Sequence, residues 1–326
     1  MSVSRSAAPA KAQGTVFDYL VIARLDHSVK HVFIIPGIML AYLLRGVRTE
    51  SLAVSVALGL VAALCVASAN YVINEWLDRD FDRLHPKKSH RSSVQYELRG
   101  DIVLLEWTAL LAAALACAFL DSRPMYFVAT VFALQGIIYN VAPLRTKDTP
   151  YLDVISESIN NPLRLIIGWV MVDPTTLPPG SLILMYWSGG AFLMAAKRLS
   201  EYREIGESYS REALTRYRAS FAGYSETSLT ISCFVYALFA IFFLAVFLIK
   251  YRIEYLVTVP VIIALFAYYM IIAMRPGSSA QKPEKLFRER GLIVLVVLLA
   301  ATFLLMTLID VPMLDFLAVQ QYIGIQ

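Results

Sequence analysis

An asparagine and two aspartates recur every four residues where a long apolar stretch ends, in the segment NEWLDRDFD at residues 74–82. On a helix this spacing puts Asn74, Asp78 and Asp82 along one face, and Asn70 extends the row by one turn. Stacked carboxylates repel each other, so such a row calls for a cation. Carboxylate and amide oxygens are hard ligands that suit Mg²⁺, which shares its coordination shell with substrate phosphates. The row therefore predicts a Mg²⁺ site for a phosphorylated ligand, with Asn74, Asp78 and Asp82 as the metal ligands.

Basic residues near this row allow a second interpretation. The two carboxylates could pair with cations of the same segment, namely Arg79, Arg83, Lys87 and Lys88. Those cations could equally bind phosphate, so the sequence leaves both interpretations open. Asp80 is out of phase with the row and is not expected to take part.

A second acidic pair, Asp153 and Glu157, has the same spacing of four residues. It stands at the start of an apolar stretch that continues through Asn160 and Asn161 to Arg164, and Pro162 is expected to kink that helix. An arginine inside a membrane is costly when it faces lipid, so Arg164 should face the interior and meet an anion there. The alternative is a polar stripe that serves internal packing alone.

The elements that must position these residues are membrane helices. Of the 326 residues, 58% are hydrophobic and 17% are charged, whereas soluble domains have about 25% charged residues. The sequence predicts an all-α polytopic membrane protein, in which a transmembrane domain at 29–310 lies between an N-terminal tail that approaches the interface (1–28) and a C-terminal tail (311–326). Nine predicted spans lie near 29–45, 51–74, 102–120, 124–142, 154–172, 181–196, 229–249, 255–274 and 291–310.

Most of the 29 Lys and Arg residues fall in the N-terminal segment and in the loops after the even-numbered spans. The positive-inside rule places those segments, and both acidic sites with them, in the cytoplasm. Polar residues gathered at one face argue against a transporter, which needs a polar route through the bilayer. We expect the bilayer and not nucleic acid as the environment of the basic loops.

These motifs resemble those of the UbiA superfamily of intramembrane prenyltransferases. The segment at 74–82 fits the N-x-x-x-D-x-x-x-D signature of that family, Asp153 and Glu157 resemble its second acidic motif, and residues 139–147 resemble its Tyr/Lys segment. The branch that the chain resembles most is decaprenyl-phosphate phosphoribosyltransferase. That likeness rests on Asp82, Arg83, His85, Pro86, Lys88, Arg91, Lys197, Arg198, Glu201, Pro283, Glu284, Arg288 and Arg290. Ser92 and Ala196 depart from its pattern, and Glu75 replaces an aspartate.

The resemblance implies a nine-helix bundle in a bacterial inner membrane and a Mg²⁺-dependent transferase that releases diphosphate. Its finer form implies transfer of phosphoribose from phosphoribosyl diphosphate to a polyprenyl phosphate. The alternative is transfer of a prenyl group from a polyprenyl diphosphate to an aromatic or other small acceptor. Under either, the implied catalytic residues are Asp78, Asp82, Asp153 and Glu157, and the implied phosphate-binding residues are Lys30, Arg83, Lys88, Arg91, Lys147, Arg164, Lys197 and Arg198. The oligomeric state stays open.

Overall fold

The computed structural model describes residues 12–83, 88–208, 215–216, 218–281, 286, 288–314 and 317. Within these ranges the chain is helical, with one isolated bridge between Gln13 and Glu97. The α-helices are α1 Val16–Ile22, α2 Ile35–Arg45, α3 Leu52–Asp82, α4 Ser92–Gln95, α5 Gly100–Asp121, α6 Arg123–Asn140, α7 Leu152–Ser158, α8 Asn160–Val170, α9 Gly180–Ser208, α10 Glu226–Tyr251, α11 Val259–Met274 and α12 Arg290–Leu308. Short 3₁₀ helices are Leu25–Ile34, Thr146–Asp148, Ala219–Gly223, Ile253–Thr258, Ser279–Gln281 and Pro312–Leu314. The all-α prediction is confirmed for the described residues.

Six helical segments are long and apolar enough to cross a membrane, namely Val16–Arg45, Leu52–Asp82, Gly100–Asp121, Glu226–Tyr251, Ile253–Met274 and Arg290–Leu308. They lie at the first three and the last three of the predicted spans. The first of them starts in α1, so helical structure begins well before the predicted start at residue 29. The other three predicted ranges are also helical, as α6, as the pair α7 and α8, and as α9. How many segments cross the bilayer therefore stays a prediction.

The fifth predicted span is broken into two helices, where the sequence predicts one kinked helix. The first piece, α7, ends at Ser158, and the second, α8, begins at Asn160. Pro162 stands in the first turn of α8, where its missing N–H leaves no hydrogen bond unmade. In an unbroken helix its ring would clash with the Ser158 carbonyl. The break gives the second acidic pair a short helix separate from that of Arg164.

Close contact between α2 and α8 depends on glycine. A Cβ on Gly37 would collide with the backbone carbonyl of Leu165, and a Cβ on Gly168 would collide with that of Ile34. Small residues let helix backbones approach each other inside a membrane, where dispersion contacts replace the hydrophobic effect as the source of association. This crossing fixes the position of α8.

The helix that carries the first acidic row, α3, is held by small buried side chains in its middle turns, including Ala62, Ala63 and Val66. Asn70 lies one turn before the row, and its Nδ2 donates to the Phe132 carbonyl of α6 at 3.3 Å. A Cβ on Gly136 of α6 would collide with the Asn70 side chain. Asn70 therefore packs α3 against α6, although its spacing alone places it in the row.

Candidate active site

The first acidic row ends in two carboxylates that are each held by cations, Asp78 by residues of a distant loop and Asp82 by residues that follow it in sequence, including Lys88. Asp78 Oδ1 lies 2.6 Å from Lys147 Nζ and 2.9 Å from Arg145 Nη2. Asn74 Nδ2 donates to Asp78 Oδ2 at 3.2 Å and to Asn140 Oδ1 at 2.5 Å. The two cationic partners of Asp78 come from the segment after α6, not from the basic residues next to it in sequence.

Asp82 is 3% exposed at the end of α3. Its Oδ2 accepts a short hydrogen bond from Arg91, and its Oδ1 lies 3.8 Å from Lys88 Nζ. Arg91 Nε also lies 4.0 Å from the buried Glu75, which accepts from Ser93 Oγ at 3.4 Å. The segment that follows α3 therefore folds back over the acidic end of that helix.

These groups meet in one open pocket, which is lined by Asp78, Phe81, Asp82, Lys88, Arg145, Lys147, Asp148 and Arg218. Arg145 has a left-handed backbone, with φ 29° and ψ 55°, a conformation that costs a non-glycine residue about 1–2 kcal/mol. Three donated bonds hold it there, to Asp78, to Asp148 Oδ2 at 2.6 Å and to the Asn140 carbonyl at 3.2 Å. Strain of this kind persists where the surrounding contacts fix the conformation, as they do at binding sites.

Burial lowers the pKa of Lys147 from its ordinary 10.5 to about 8, and the charge of Asp78 opposes that shift. The amine therefore remains mainly protonated at neutral pH. A charged lysine that lines a pocket is suited to a phosphate or diphosphate.

The donor set of the pocket fits a hard divalent cation. No group of three or more His, Cys, Asp and Glu side chains converges anywhere in the described part of the chain. A metal here would depend on two carboxylates, Asp78 and Asp82, with the Oδ1 of Asn74, whose amide nitrogen makes both hydrogen bonds of that side chain. Mg²⁺ fits such a set, because it commonly takes one or two carboxylates and completes its shell with water and substrate phosphate.

The second acidic site is built around a buried arginine of α9. Arg198 is 1% exposed and donates to Asp153 Oδ2 at 2.9 Å, to Glu201 Oε2 at 2.9 Å and to Glu157 Oε2 at 3.4 Å. Asp153 has no exposed surface, and it also accepts from Tyr224 at 2.6 Å and from Ser220 at 3.1 Å. Burial beside this carboxylate raises the pKa of the Tyr224 phenol well above its usual range, so the phenol remains a donor.

Glu157 differs from Asp153 because its side chain is 21% exposed. Its Oε2 accepts from Tyr139 OH at 2.7 Å, and Tyr139 OH in turn accepts from Arg218 Nη2 at 2.7 Å. Arg218 also lines the pocket at Asp78. Tyr139 and Arg218 therefore connect the two acidic sites.

The structure brings some of the predicted phosphate-binding residues to the pocket and leaves others away from it. Lys88 and Lys147 line the pocket, and Arg91 holds Asp82 beside it. Arg83 points away and lies 3.6 Å from the exposed Asp80. Lys30 lies over the Tyr71 ring, and Lys197, Arg198 and Arg164 lie on the side of the second acidic site. Lys87, His85, Pro86, Pro283 and Glu284 lie outside the described residues.

The predicted set lacks several residues of this site, among them Asn140, Arg145 and Arg218. Asn140 and Arg145 lie within the Tyr/Lys segment at 139–147, and the density of polar residues in that segment could predict that they belong to the site. Arg218 is one of many cations in a long basic segment and had no distinguishing signal.

The described residues thus combine an all-helical fold with an acidic, cation-lined pocket at the end of a long apolar helix, and such a pocket is suited to a phosphorylated ligand. The sequence model of the UbiA prenyltransferase family matches residues 33–291. The chain belongs to this family.

Two relatives are similar in sequence over about half of this chain. A protoheme IX farnesyltransferase of Alkalihalophilus pseudofirmus is 29% identical over 196 residues, which are 58% of this chain and 62% of the relative. A lycopene elongase/hydratase of Haloarcula japonica is 31% identical over 161 residues, which are 48% of this chain and 51% of the relative. Each match thus spans less than two thirds of the relative.

A solved UbiA homologue from Archaeoglobus fulgidus, bound to GPP and Mg²⁺, superposes with a TM-score of 0.66 at 23% identity and covers 89% of this chain and 99% of the homologue. A digeranylgeranylglyceryl phosphate synthase superposes with a TM-score of 0.61 at 16% identity and covers 88% of this chain and 98% of that one. These likenesses support the fold.

Proposed function

We propose that this chain transfers a prenyl group from a polyprenyl diphosphate to a small acceptor and releases diphosphate, in a Mg²⁺-dependent reaction at the cytoplasmic side of the membrane. One observation carries the proposal: Asp78 and Asp82 face Lys88, Arg145, Lys147 and Arg218 around a single pocket. This arrangement offers ligands for a metal and donors for a diphosphate within the same few ångströms.

The cations of the pocket account for the leaving group. As the C–O bond of the prenyl diphosphate breaks, negative charge grows on the departing diphosphate, and preorganised donors stabilise that charge. Lys147 and Arg145 are already fixed beside Asp78 at 2.6 and 2.9 Å. They need little rearrangement to bind the diphosphate oxygens.

Asn74, Asp78 and Asp82 are the residues that would hold Mg²⁺. When bound, the metal supplies Lewis-acid neutralisation of the diphosphate. The support is the donor set described above, together with the solved UbiA homologue that holds GPP and Mg²⁺.

Glu157 is the residue that would act on the acceptor, and Tyr139 donates a hydrogen bond to its carboxylate. The acceptor forms a bond to the allylic carbon and must lose a proton, and a carboxylate is a suitable receiver. Glu157 retains exposed surface, whereas Asp153 is fully buried and held by Arg198, Tyr224 and Ser220. We therefore assign the proton-accepting role to Glu157 and a positioning role to Asp153 and Arg198.

The finer expectation from the sequence, phosphoribosyl transfer to a polyprenyl phosphate, has less support than prenyl transfer. The relatives named above are a farnesyltransferase and a lycopene elongase/hydratase. In addition, Arg198, one of the cations expected to bind a second phosphate, has its guanidinium occupied by three carboxylates. Lys197 and Arg164 remain as candidates for that role.

Two parallel incubations separate these reactions. The purified protein in lipid nanodiscs receives Mg²⁺ with either a labelled prenyl diphosphate and a panel of small aromatic acceptors, or labelled phosphoribosyl diphosphate and a polyprenyl phosphate. We expect EDTA-sensitive diphosphate release and a prenylated product in the first. Label in the lipid of the second, with none in the first, would replace the proposal by phosphoribosyl transfer. No Mg²⁺-dependent binding of either diphosphate would reject both.

A further inference from the structure

The first helix, α1, has an exposed apolar face. Val16 is 78% exposed, Phe17 72% and Leu20 59%. Asp18 is the one charged residue of α1, and it is buried, with its carboxylate accepting from the Thr15 N–H at 2.8 Å and from the Thr15 hydroxyl at 2.7 Å. The outer face of α1 therefore carries no charge, and the described part of the chain leaves that face uncovered.

The helices that follow α1 are long enough to cross a membrane without it. The 3₁₀ helix Leu25–Ile34 has 10 residues, and α2 has 11. At about 2.0 Å per residue for the 3₁₀ helix and about 1.5 Å for α2, they measure about 36 Å end to end, whereas the hydrocarbon core is about 30 Å thick. Asp26 is exposed in the first turn of the 3₁₀ helix, which places that end at the membrane surface. Arg24 has a left-handed backbone, with φ 51° and ψ 51°, so it ends α1 and lets α1 leave the direction of the crossing.

The inner face of α1 packs at the pocket end of the helix bundle. Tyr19 and Ile22 belong to one buried cluster with Val72 of α3 and Val103 of α5. Val72 lies two residues before Asn74, and Val103 lies in the first turn of α5. At this level an uncharged apolar face is suited to the boundary between lipid head groups and acyl chains, where interfacial helices bind.

α1 and the residues before it also hold the loop that follows α3. The Tyr19 hydroxyl accepts from the Arg99 N–H at 2.8 Å, and the Gly14 N–H donates to the Glu97 carbonyl at 3.1 Å. A Cβ on Gly14 would collide with the Leu98 side chain. The end of the loop is thus fixed to α1 by close backbone contacts.

The same loop, residues 88–99, reaches the pocket at its other end. Lys88 Nζ lies 3.8 Å from Asp82 Oδ1, and Arg91 donates a short hydrogen bond to Asp82 Oδ2. Between the two ends lies α4, which contacts α1. A continuous piece of structure therefore links the exposed face of α1 to the cations around Asp82.

We propose that α1 binds the lipid surface on the pocket side of the membrane, with Val16, Phe17 and Leu20 among the lipid chains, and that this contact sets the affinity of the pocket for the prenyl diphosphate. The partner is the bilayer itself, at the boundary of its head groups and acyl chains. Lipid keeps α1 in place, and α1 holds the loop that carries Lys88 and Arg91. The position of α1 is independent of the proposed function, whereas the effect on donor binding rests on it.

Spin labels test the position of α1. Phe17→Cys and Leu20→Cys are each labelled in a background in which Cys65, Cys117 and Cys233 are replaced by alanine, and the protein is placed in nanodiscs of phosphatidylcholine and phosphatidylglycerol. Oxygen concentrates among lipid chains and a nickel chelate stays in water, so the collision rates of the two with a label report its depth. We expect both labels to collide with oxygen and to be protected from the chelate.

His90→Cys is the control for the spin labels, because His90 is exposed in the loop after α3. Its label should collide with the chelate. Labels on α1 that collide with the chelate as readily as the control label overturn the inference. Protection of the α1 labels from both oxygen and chelate also overturns it, because a second protein chain would then cover α1 in place of lipid.

A double variant tests the effect of α1 on the pocket. Phe17→Ser with Leu20→Ser removes the apolar contact, and the ligand is farnesyl thiodiphosphate, an analogue whose C–S bond resists cleavage. We expect its Mg²⁺-dependent binding to weaken about 5-fold or more, the lower end of coupling between separate sites. Phe119→Ser with Leu120→Ser is the matched control, since these residues are 69% and 72% exposed at the opposite end of α5. Unchanged affinity in the α1 variant, or the same loss in both variants, overturns the coupling.

Tyr19→Phe tests the contact between α1 and the loop by itself. It removes the hydroxyl that accepts from the Arg99 N–H and leaves the outer face of α1 intact. We expect weaker binding of the analogue with unchanged depth of the Phe17→Cys label, and wild-type affinity would overturn this contact as the link to the pocket. Absence of Mg²⁺-dependent binding in the wild type overturns the proposed function, while the spin labels still decide where α1 lies.

Discussion

At the scale of single residues, the two carboxylates Asp78 and Asp82 at the end of α3 have different surroundings from Asp80, which lies between them. Asp78 and Asp82 line the pocket and face its cations, whereas Asp80 is exposed and pairs with Arg83 at 3.6 Å. All three lie within one helix turn or two of each other. Substituting these three aspartates one at a time therefore separates the effect of losing a negative charge from the effect of losing it inside the pocket.

We expect Asp78→Asn or Asp82→Asn to abolish turnover and Mg²⁺-dependent binding of a prenyl diphosphate, since an amide is a much weaker metal ligand than a carboxylate. Turnover assays and binding titrations with and without EDTA measure this. Asp80→Asn removes the same charge outside the pocket and should retain activity. Near-normal turnover in either pocket variant would remove the metal site as described.

A second residue-scale prediction concerns stability. Asp153→Asn keeps the shape of the side chain but leaves Arg198 short of one of its three carboxylates in the interior. Breaking a buried ion pair by removing one partner costs about 3–5 kcal/mol. We therefore expect a clear drop in the thermal unfolding midpoint in detergent.

Asp101→Asn is the control for this change, because Asp101 pairs with Arg99 on the surface, where both side chains are more than half exposed. That variant should unfold close to the wild-type temperature. Equal midpoints for both variants would contradict the central position of Arg198.

The sequence predicts the acidic residues of the site better than their partners. Asn74, Asp78 and Asp82 follow a helical spacing that can be read directly, and the structure places them on one helix. Arg145, in contrast, reaches Asp78 from 67 residues away. Spacing within one segment carries no information on such a contact, so the sequence favours nearby cations such as Arg83 in place of Arg145.

At the scale of helices, the position of α8 depends on its close crossing with α2. Gly168→Ala would place a methyl group against the Ile34 carbonyl and the Ile38 nitrogen, both of which are backbone atoms and cannot rotate away. We expect a lower unfolding midpoint, since α8 must shift. Thermal unfolding of the purified protein measures this effect.

Gly189→Ala provides the control on α9, because nothing lies within 4 Å of a Cβ at that position. Alanine favours a helix over glycine by about 1 kcal/mol. This variant should be as stable as the wild type or more stable. A Gly168→Ala protein as stable as the wild type would show that the crossing tolerates a wider separation.

Helix positions were largely predictable, and helix breaks were less so. Apolar runs of membrane length indicate where helices lie, because every backbone group in lipid must be paired internally. Pro162 signalled a disturbance in the fifth span, but the sequence did not show that the helix would end at Ser158 and restart at Asn160. Whether a proline bends a helix or divides it depends on the helices packed around it.

At the scale of the whole molecule, the distribution of basic residues predicts the orientation. His90 lies in the segment after α3, on the side of the pocket, and Glu50 lies just before α3, at its other end; both are exposed. In a background where Cys65, Cys117 and Cys233 are replaced by alanine, we expect a membrane-impermeant maleimide to label Glu50→Cys in intact cells. His90→Cys should react only after lysis, and the reverse pattern would place the pocket outside the cytoplasm.

The pairing of Asp78 with Lys147 and Arg145, and of Asp82 with Arg91 and Lys88, has a consequence for the order of events. Each carboxylate that would take a metal already holds an ammonium or guanidinium group of the protein. Displacing those cationic groups by a divalent ion alone costs free energy, because the cations lose their carboxylate partners. A bound diphosphate offers the cations new partners, and a bound metal neutralises the aspartates that the cations leave. If Asp78 and Asp82 hold the metal, we therefore expect the metal and the diphosphate to bind cooperatively, each raising the affinity for the other by the same factor.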